Sequence, residues 1–421
     1  MKNSGFIKYH SSAIIISMIF LCVVIFTTCI NKQKEKAENN SLTSNYSEYA
    51  GSASCANCHK DIYQNHINSA HFHTSETATL KSIKGSFDSL HNKFVFSTGG
   101  TMVMENKKDS FFQTAYVNGV IKKSESFDIV VGSGTRGQTF LSWIHNQLVQ
   151  LPMTYFTDSA QWSTSPGYPN KIAAFNRPIT SRCLECHATY IEKISAPDKD
   201  PEEYDKNRMV LGVTCENCHG PAARHVAYQS QNPTVKIAKF IVNPASFTRQ
   251  QSLDLCRKCH GGRLQKIKPS FTFTPGDKLS DYFTIDTSKQ EGNYIDVHGN
   301  QFGLLSESKC FLNSKTLTCV SCHNTHNNEK GQDALFVQRC QTCHNNSHDG
   351  SGTCKMVAQI GDKIKDKCTS CHMPLEKSLA IAVLLQGHTR LSQASMHTHL
   401  IKIYPDETKK VLDFIKNKKG I

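Results

Sequence analysis

Apolar positions are spread unevenly along this chain, and their local period changes from region to region. An almost unbroken apolar run extends from Ala13 to Phe26, behind Lys2 and Lys8. It is short for a bilayer span and suits the core of an export signal. Residues 31–48 are polar except for Leu42 and read as a flexible tether. Between residues 90 and 135 the stretches KFVFS, TMVMEN, FFQTAYV and VIKKSESFDIVVG alternate apolar with polar or β-branched positions. Asn118-Gly119 sits between two of them as a two-residue hairpin signal. These features predict a small antiparallel β-meander. TRGQTFLSWIHNQLVQLPMTYF then leads into WSTSPGYPN, broken by Pro and Gly. At the far end PDETKKVLDFIKNKKG predicts a capped helix, with Val411, Leu412, Phe414 and Ile415 on its apolar face.

For 421 residues the chain is lean in apolar residues, at 38 %. Something else must fill part of the interior, and the cysteines say what. Cys-x-x-Cys-His occurs seven times: Cys55/Cys58/His59, Cys183/Cys186/His187, Cys215/Cys218/His219, Cys256/Cys259/His260, Cys319/Cys322/His323, Cys340/Cys343/His344 and Cys368/Cys371/His372. Every Cys-x-x-Cys is followed by His, a coincidence of about one in a billion if the following residue were random. Zinc ribbons need the paired cysteines but not that His, and a disulfide framework would not keep one spacing. The motif is the attachment sequence for c-type haem: two thiols form thioethers and the adjacent His becomes the proximal iron ligand. Seven covalent haems are expected, with the chain wrapped around them, and a haem-free chain should fold poorly.

Iron with two imidazoles is an electron-transfer centre, whereas iron with an open sixth position can act on a small molecule. The other histidines therefore carry the functional question. The expected distal ligands are His71, His225, His298, His326, His348, His388 and His399. His225 follows His219 by six residues across a Gly-Pro turn, and His326 lies in CHNTH. His66 and His73 compete with His71, and His397 competes with His399. His10 falls in the export signal, His91 and His145 read as structural, and Met373 as a packing residue. Cys310 and Cys354 stand outside the motifs. A disulfide between them, two free thiols, or Cys310 as a thiolate ligand are the alternatives.

The formal charge of +13 would ordinarily invite nucleic acid. Seven haems with ionised propionates bring it to roughly +6, and loss of Lys2 and Lys8 to about +4; with no long Lys/Arg tract, nucleic-acid binding is not expected. Ile25-Phe26-Thr27-Thr28-Cys29 resembles a bacterial lipoprotein processing site with Cys29 as the lipidated residue, although Phe26 and Thr28 depart from its usual pattern. The organisation expected is a signal peptide over 1–28, a linker over 29–48, a haem domain over 49–405 carrying the β insertion at about 90–135, and a C-terminal helix over 406–421. The chain would then sit on the periplasmic or outer-surface side of a bacterial membrane, held by a lipid anchor.

GSASCANCHKDIYQNHINSAHFHTS, the closely spaced CLECH and CENCHGPAARH, then CVSCHNTH and CTSCHMP resemble the multihaem cytochromes related to hydroxylamine oxidoreductase and its tetrahaem electron-accepting partner, the cytochrome c-554 group. The resemblance covers roughly residues 49–405. It implies a multihaem cytochrome c fold, mainly α and irregular, wrapped around seven stacked haems. It also implies distal roles for His71 and His225. No Cys-x-x-Cys-Lys is present, and the octahaem enzymes carry one motif more. The expected function is electron relay between a membrane donor, of the quinol-oxidising kind, and a redox partner such as a terminal reductase. The alternative is an oxidoreductase acting on a small nitrogen or sulfur compound at one open haem.

Overall fold

The computed structural model describes residues 45–169, 171–284, 296, 298–344 and 354–417. The export signal, Cys29, most of the tether and His348 lie outside the described residues. So do the last four residues of the predicted C-terminal helix, which runs Pro405–Asn417.

The β part is larger than the predicted meander. The meander itself is present as β2 (Lys93–Val95), β3 (Thr101–Lys107), β4 (Ser110–Val117) and β5 (Val120–Phe127), a four-stranded antiparallel sheet in sequential order. Asn118 and Gly119 both take positive φ, 51° and 76°, as the turn between β4 and β5 requires. A second sheet is built from β1 (Ser75–Thr77), β6 (Ile129–Val131), β7 (Gly137–Ile144), β8 (Gln147–Gln150) and β11 (Arg177–Pro178). β9 (Met153–Phe156) pairs with β7, and β10 (Gln161–Thr164) pairs with β9. TRGQTFLSWIHNQLVQLPMTYF is thus strand and hairpin, and His145 occupies the β7–β8 turn with φ 56°.

The two sheets share a dry core of Phe94, Met102, Met104, Phe111, Phe127, Phe140, Leu151, Met153 and Trp162, all nearly or fully buried. The indole N–H of Trp162 donates to Ser86 O at 2.8 Å. Gly85 lies flat on that ring: a Cβ there would stand 2.2 Å from Trp162 Cζ2. The meander could not bury this many aromatic rings on one face alone, which is why the second sheet is needed.

Beyond β11 the chain turns to short helices, several of which close on a cysteine motif, joined by three small hairpins. These are β12 (Ala188–Lys193) with β13 (Tyr204–Leu211), β14 (Gln265–Lys266) with β15 (Phe283–Thr284), and β16 (Leu375–Leu384) with β17 (Leu391–His397). The tip of the last hairpin returns to the β region, where Leu384 N donates to Thr164 Oγ1 and Val95 N to Gln386 Oε1. Among the described residues no helix is long and apolar enough to cross a membrane.

Candidate haem-attachment and axial-ligand sites

Each motif is folded as one helical turn. Helices Ser181–His187, Arg249–His260 and Asp333–His344 end on a motif histidine, and Cys215–His219 and Cys368–His372 are the motif alone. His59 N bonds to Cys55 O at 2.8 Å and His323 N to Cys319 O at 3.0 Å. A turn of this kind puts positions i, i+3 and i+4 on one side. That is how two thiols and an imidazole come to address one porphyrin. Among the described residues, no group of three or more His, Cys, Asp or Glu side chains gathers as a metal-binding cluster.

The motifs lie against one another. The thiol of Cys55 touches that of Cys215, Cys186 touches Cys259, and Cys256 touches Cys319. Motif four therefore borders motif two through one cysteine and motif five through the other. Residues inside the motifs brace these contacts. The buried Glu216 carboxylate accepts from Ala50 N at 2.8 Å, Gly51 N at 3.0 Å and Ala222 N at 2.8 Å. It joins the approach to motif one to the turn before His225. Lys258 Nζ of motif four donates to Asn217 Oδ1 of motif three at 3.0 Å. Buried Glu185 of motif two accepts from Phe271 N at 2.8 Å and pairs with Lys266. These side chains were not singled out from the sequence. The signal available was a charged residue between the two cysteines of a motif, a place where lysine and glutamate are rarely buried without partners.

Depth differs among the attachment cysteines, with Cys58 and Cys343 at one extreme. Both are exposed, as is Cys183, whereas Cys371 is buried and the other motif cysteines lie between these extremes. The physical reason is where each motif sits in its element. Cys58 and His59 fall in the short break between helices Ser52–Cys55 and Lys60–His66, whose first residues are also exposed. Cys343 is the penultimate residue of Asp333–His344, a helix whose buried residue, Val337, lies two turns earlier, and His344 is exposed beside it. Cys183 rests its thiol beside Thr180 Oγ1 at 3.5 Å. The turn geometry still presents Cys58 with Cys55 and Cys343 with Cys340, and a thioether needs that alignment, not burial.

Two imidazoles on opposite sides of one iron, each bound through nitrogen at about 2.0 Å, hold their ring centroids about 6.3 Å apart. The structure shows that separation at three places. His71 faces His260 at 6.2 Å, His326 faces His219 at 6.2 Å, and His399 faces His323 at 6.1 Å. The last two pairs are nearly parallel, at 16° and 25°, and the first is crossed at 67°. His66 also lies 6.3 Å from His326, but its Nε2 is bonded to Val213 O and its Nδ1 to Ser69 Oγ. Both of its nitrogens are engaged, so between His66 and His71 it is His71 that has a nitrogen to offer. His73 is engaged through Nδ1 with Glu76.

Burial, with the neighbouring His260, His66 and His323, pushes the His71 imidazole down to about 4. Burial, followed by His323 and His260, does the same at His399, and burial followed by His298 at His187. His260, His298, His323 and His326 are lowered as well, in each case chiefly by burial. These rings are held neutral, the form that ligates iron. Nδ1 of His219 bonds to Val242 O at 2.9 Å, Nδ1 of His372 to Lys402 O at 2.9 Å and Nδ1 of His260 to Gln301 Oε1 at 3.1 Å. A donor at Nδ1 leaves Nε2 as the free lone pair, the usual orientation for a ligating histidine. Nδ1 of His399 is buried without a well-formed hydrogen bond. The residues present thus fit haem.

The remaining candidates are placed differently. His225 anchors Nδ1 on Lys239 O at 2.8 Å, leaving Nε2 free, and its helix Ala223–Gln231 packs beside the turn Tyr46–Glu48 just before motif one. His298 adjoins His187. His388 sits exposed in the turn of the β16–β17 hairpin, whose tip rests on the β region, and joins none of the imidazole pairs. His397 bonds through Nδ1 to Met373 O and is exposed. Cys310 and Cys354 are not bonded to each other. Cys310 neighbours Cys322 and Cys340, whereas Cys354 neighbours Cys368 and Cys371, so the disulfide alternative is corrected: the two thiols lie beside different motifs.

Comparison with known proteins agrees with this chemistry. The family described as cytochrome c554 and c-prime matches residues 161–220, which hold motifs two and three. The C-type polyheme cytochrome OmcC of Geobacter sulfurreducens is 21% identical over 210 residues, covering 45% of this chain; the chain spans about a quarter of that relative, 25% of its length. An undecaheme cytochrome from the S-layer of Carboxydothermus ferrireducens aligns with a TM-score of 0.40 and 15% identity, over 88% of this chain and 54% of its own. The motif repeat and the sequence matches together support a multihaem c-type cytochrome with covalently bound haem c.

Proposed function

We propose that this chain is an exported, lipid-anchored heptahaem c-type cytochrome that relays electrons between a membrane donor, of the quinol-oxidising kind, and a second redox protein such as a terminal reductase. Its kinship is with the cytochromes around hydroxylamine oxidoreductase. The observation that carries the reading is the placement of three non-motif imidazoles opposite motif histidines at 6.1–6.2 Å. When bound, haem supplies one-electron centres that change only iron charge. The chain's part is to hold both imidazoles neutral and to exclude water from them. Cys29 would carry the anchor and residues 31–48 the reach. His225 would serve the haem of motif one and His298 that of motif two.

A second reading, an oxidoreductase for a small nitrogen or sulfur compound, is favoured by a different observation. Among the described residues no imidazole pair includes His59, His187, His344 or His372. Low-temperature electron paramagnetic resonance on the ferric holoprotein, with haem quantified, separates the two. Seven low-spin haems support the relay. A high-spin signal worth about one haem, altered by nitrite or hydroxylamine, replaces it with the enzyme.

A further inference from the structure

Ser308 stands at the N-cap of helix Lys309–Asn313, yet its hydroxyl does not cap that helix. An N-cap serine ordinarily satisfies an amide of its own first turn. This one is 1 % exposed and turned away, toward a strand of chain some ninety positions later. Its Oγ donates to His399 O at 3.1 Å and accepts from Ile401 N at 2.8 Å. The two bonds bracket the backbone that carries the His399 ring. On its other side Ser308 belongs to the segment that leads into motif five. Arg249 stiffens that segment, donating through Nε to Leu317 O at 3.0 Å and through Nη2 to Phe311 O at 3.2 Å. One hydroxyl therefore ties the backbone of His399 to the chain that delivers His323, and the two rings stand 6.1 Å apart at 25°.

We propose that Ser308 is the positioning residue for His399, fixing how firmly that imidazole occupies the sixth position of the motif-five haem. The inference rests on the axial reading of His399 given above. Its other backbone ties, Thr398 N to Pro374 O and Lys402 N to His372 O, run to motif seven. They leave the motif-five side to Ser308.

The test compares Ser308→Ala, Ser308→Thr and His399→Ala in the holoprotein, each with haem content verified. Carbon monoxide binding to the ferrous protein is followed by flow spectroscopy, and ferric spin state by electron paramagnetic resonance. His399→Ala should make one haem high-spin and freely reactive. Ser308→Ala should raise the carbon monoxide on-rate of one haem about tenfold, the scale of losing an outer-shell partner of a metal ligand. Ser308→Thr, which keeps the hydroxyl, should stay near wild type. If His399→Ala changes one haem and Ser308→Ala changes none, the role of Ser308 is overturned while the ligation stands. If Ser308→Thr behaves like Ser308→Ala, packing rather than the hydroxyl is responsible and the proposal falls. If His399→Ala changes no haem, the axial reading itself fails and takes this inference with it.

Discussion

Gly212 offers the most direct test that backbone close to the imidazoles, and not the cysteine motifs alone, sets their geometry. It joins β13 to motif three with φ 75°, a conformation that costs a residue with a side chain about 1–2 kcal/mol. A Cβ placed there would lie 2.1 Å from Phe72 O. That neighbour is backbone and cannot rotate aside. Relief requires separating residues 71–75 from residues 212–214. The bonds between them are Gly212 N to Ser75 Oγ at 2.9 Å, Val213 N to Thr74 Oγ1 at 3.0 Å and Val213 N to His71 O at 2.9 Å. Losing one or two of these adds about 1–2 kcal/mol. Gly212→Ala should therefore cost about 2–4 kcal/mol and, more tellingly, displace His71 from His260. In the folded ferric holoprotein this predicts a new high-spin fraction up to one haem, together with a lower denaturant midpoint. A variant that unfolds at the wild-type midpoint and keeps its spin state would refute the argument. One that loses stability without any spectral change would break the link between this turn and His71.

Other consequences can be checked separately. His326→Ala should convert one haem to high-spin, whereas His66→Ala, though the ring is equally close, should not, because both His66 nitrogens are already bonded; the same resonance measurement decides. Replacing both cysteines of one motif by alanine should lower covalent haem by one per chain in intact-mass spectra. The pair Cys256 and Cys259, whose motif borders two others, should also disturb the optical spectrum of the rest. Burial opposes ionisation of Glu202, but bonds from Tyr204, Lys193 and Ser181 outweigh it and bring the carboxyl down to about 2. A depressed carboxyl stabilises above its unfolded value near 4.3, and that contribution is lost as pH falls from about 4.5 to 2. Glu202→Gln should thus cost about 1–2 kcal/mol at pH 7, after allowance for its partial exposure, and nothing near pH 2; unfolding midpoints at the two pH values test this.

The attachment chemistry was legible in the sequence because it is local: two cysteines and a histidine within five positions. How deeply each motif lies was not local, and Cys58 and Cys343 end up exposed where Cys371 is buried under the same five-residue pattern. The meander was legible through period-two alternation and Asn118-Gly119. The second sheet was not. QLVQ, MTYF and QWST are four-residue strands, too short for their alternation to stand out although they pair with near neighbours, and β16 interrupts its own alternation with an irregularity between Lys377 and Ala382. Distal histidines are a further step away, since nothing in IYQNHINSAHFHTS distinguishes His66 from His71. The difference arises only when Val213 and Ser69 occupy one ring and His260 faces the other. Asp296 is a similar case. It lies two residues before His298 and accepts from Ser378 Oγ, Leu379 N and Ala380 N at 2.6–2.9 Å, a contact across more than eighty positions. Glu216 and Lys258 were hidden by their position inside motifs, where attention goes to the cysteines.

The uneven spread of apolar residues noted at the outset has an energetic meaning that can be tested. The largest buried side chains, including Trp162, Phe94, Phe127, Phe140, Met102, Met104, Leu141 and Leu151, lie almost wholly between residues 94 and 204, with Phe283 the exception among them. Past motif two the buried apolar groups form small clusters, such as Leu264, Leu279, Tyr282 and Phe283, or Ile360, Ile364 and Ile415. Clusters of three or four side chains, at about 1.5–3 kcal/mol each, fall short of the ordering entropy of the segments they join. The β region carries its own core and should fold without cofactor; the motif-bearing remainder should not. Expressed without its export signal, and hence without haem, the chain is expected to give a protease-resistant fragment covering roughly residues 75–178, with rapid loss of residues 215–372. Equal digestion rates across both parts would show that the β region also depends on haem. Survival of the motif-bearing part would show that its polar braces suffice, and would remove the reason for treating haem as the missing core.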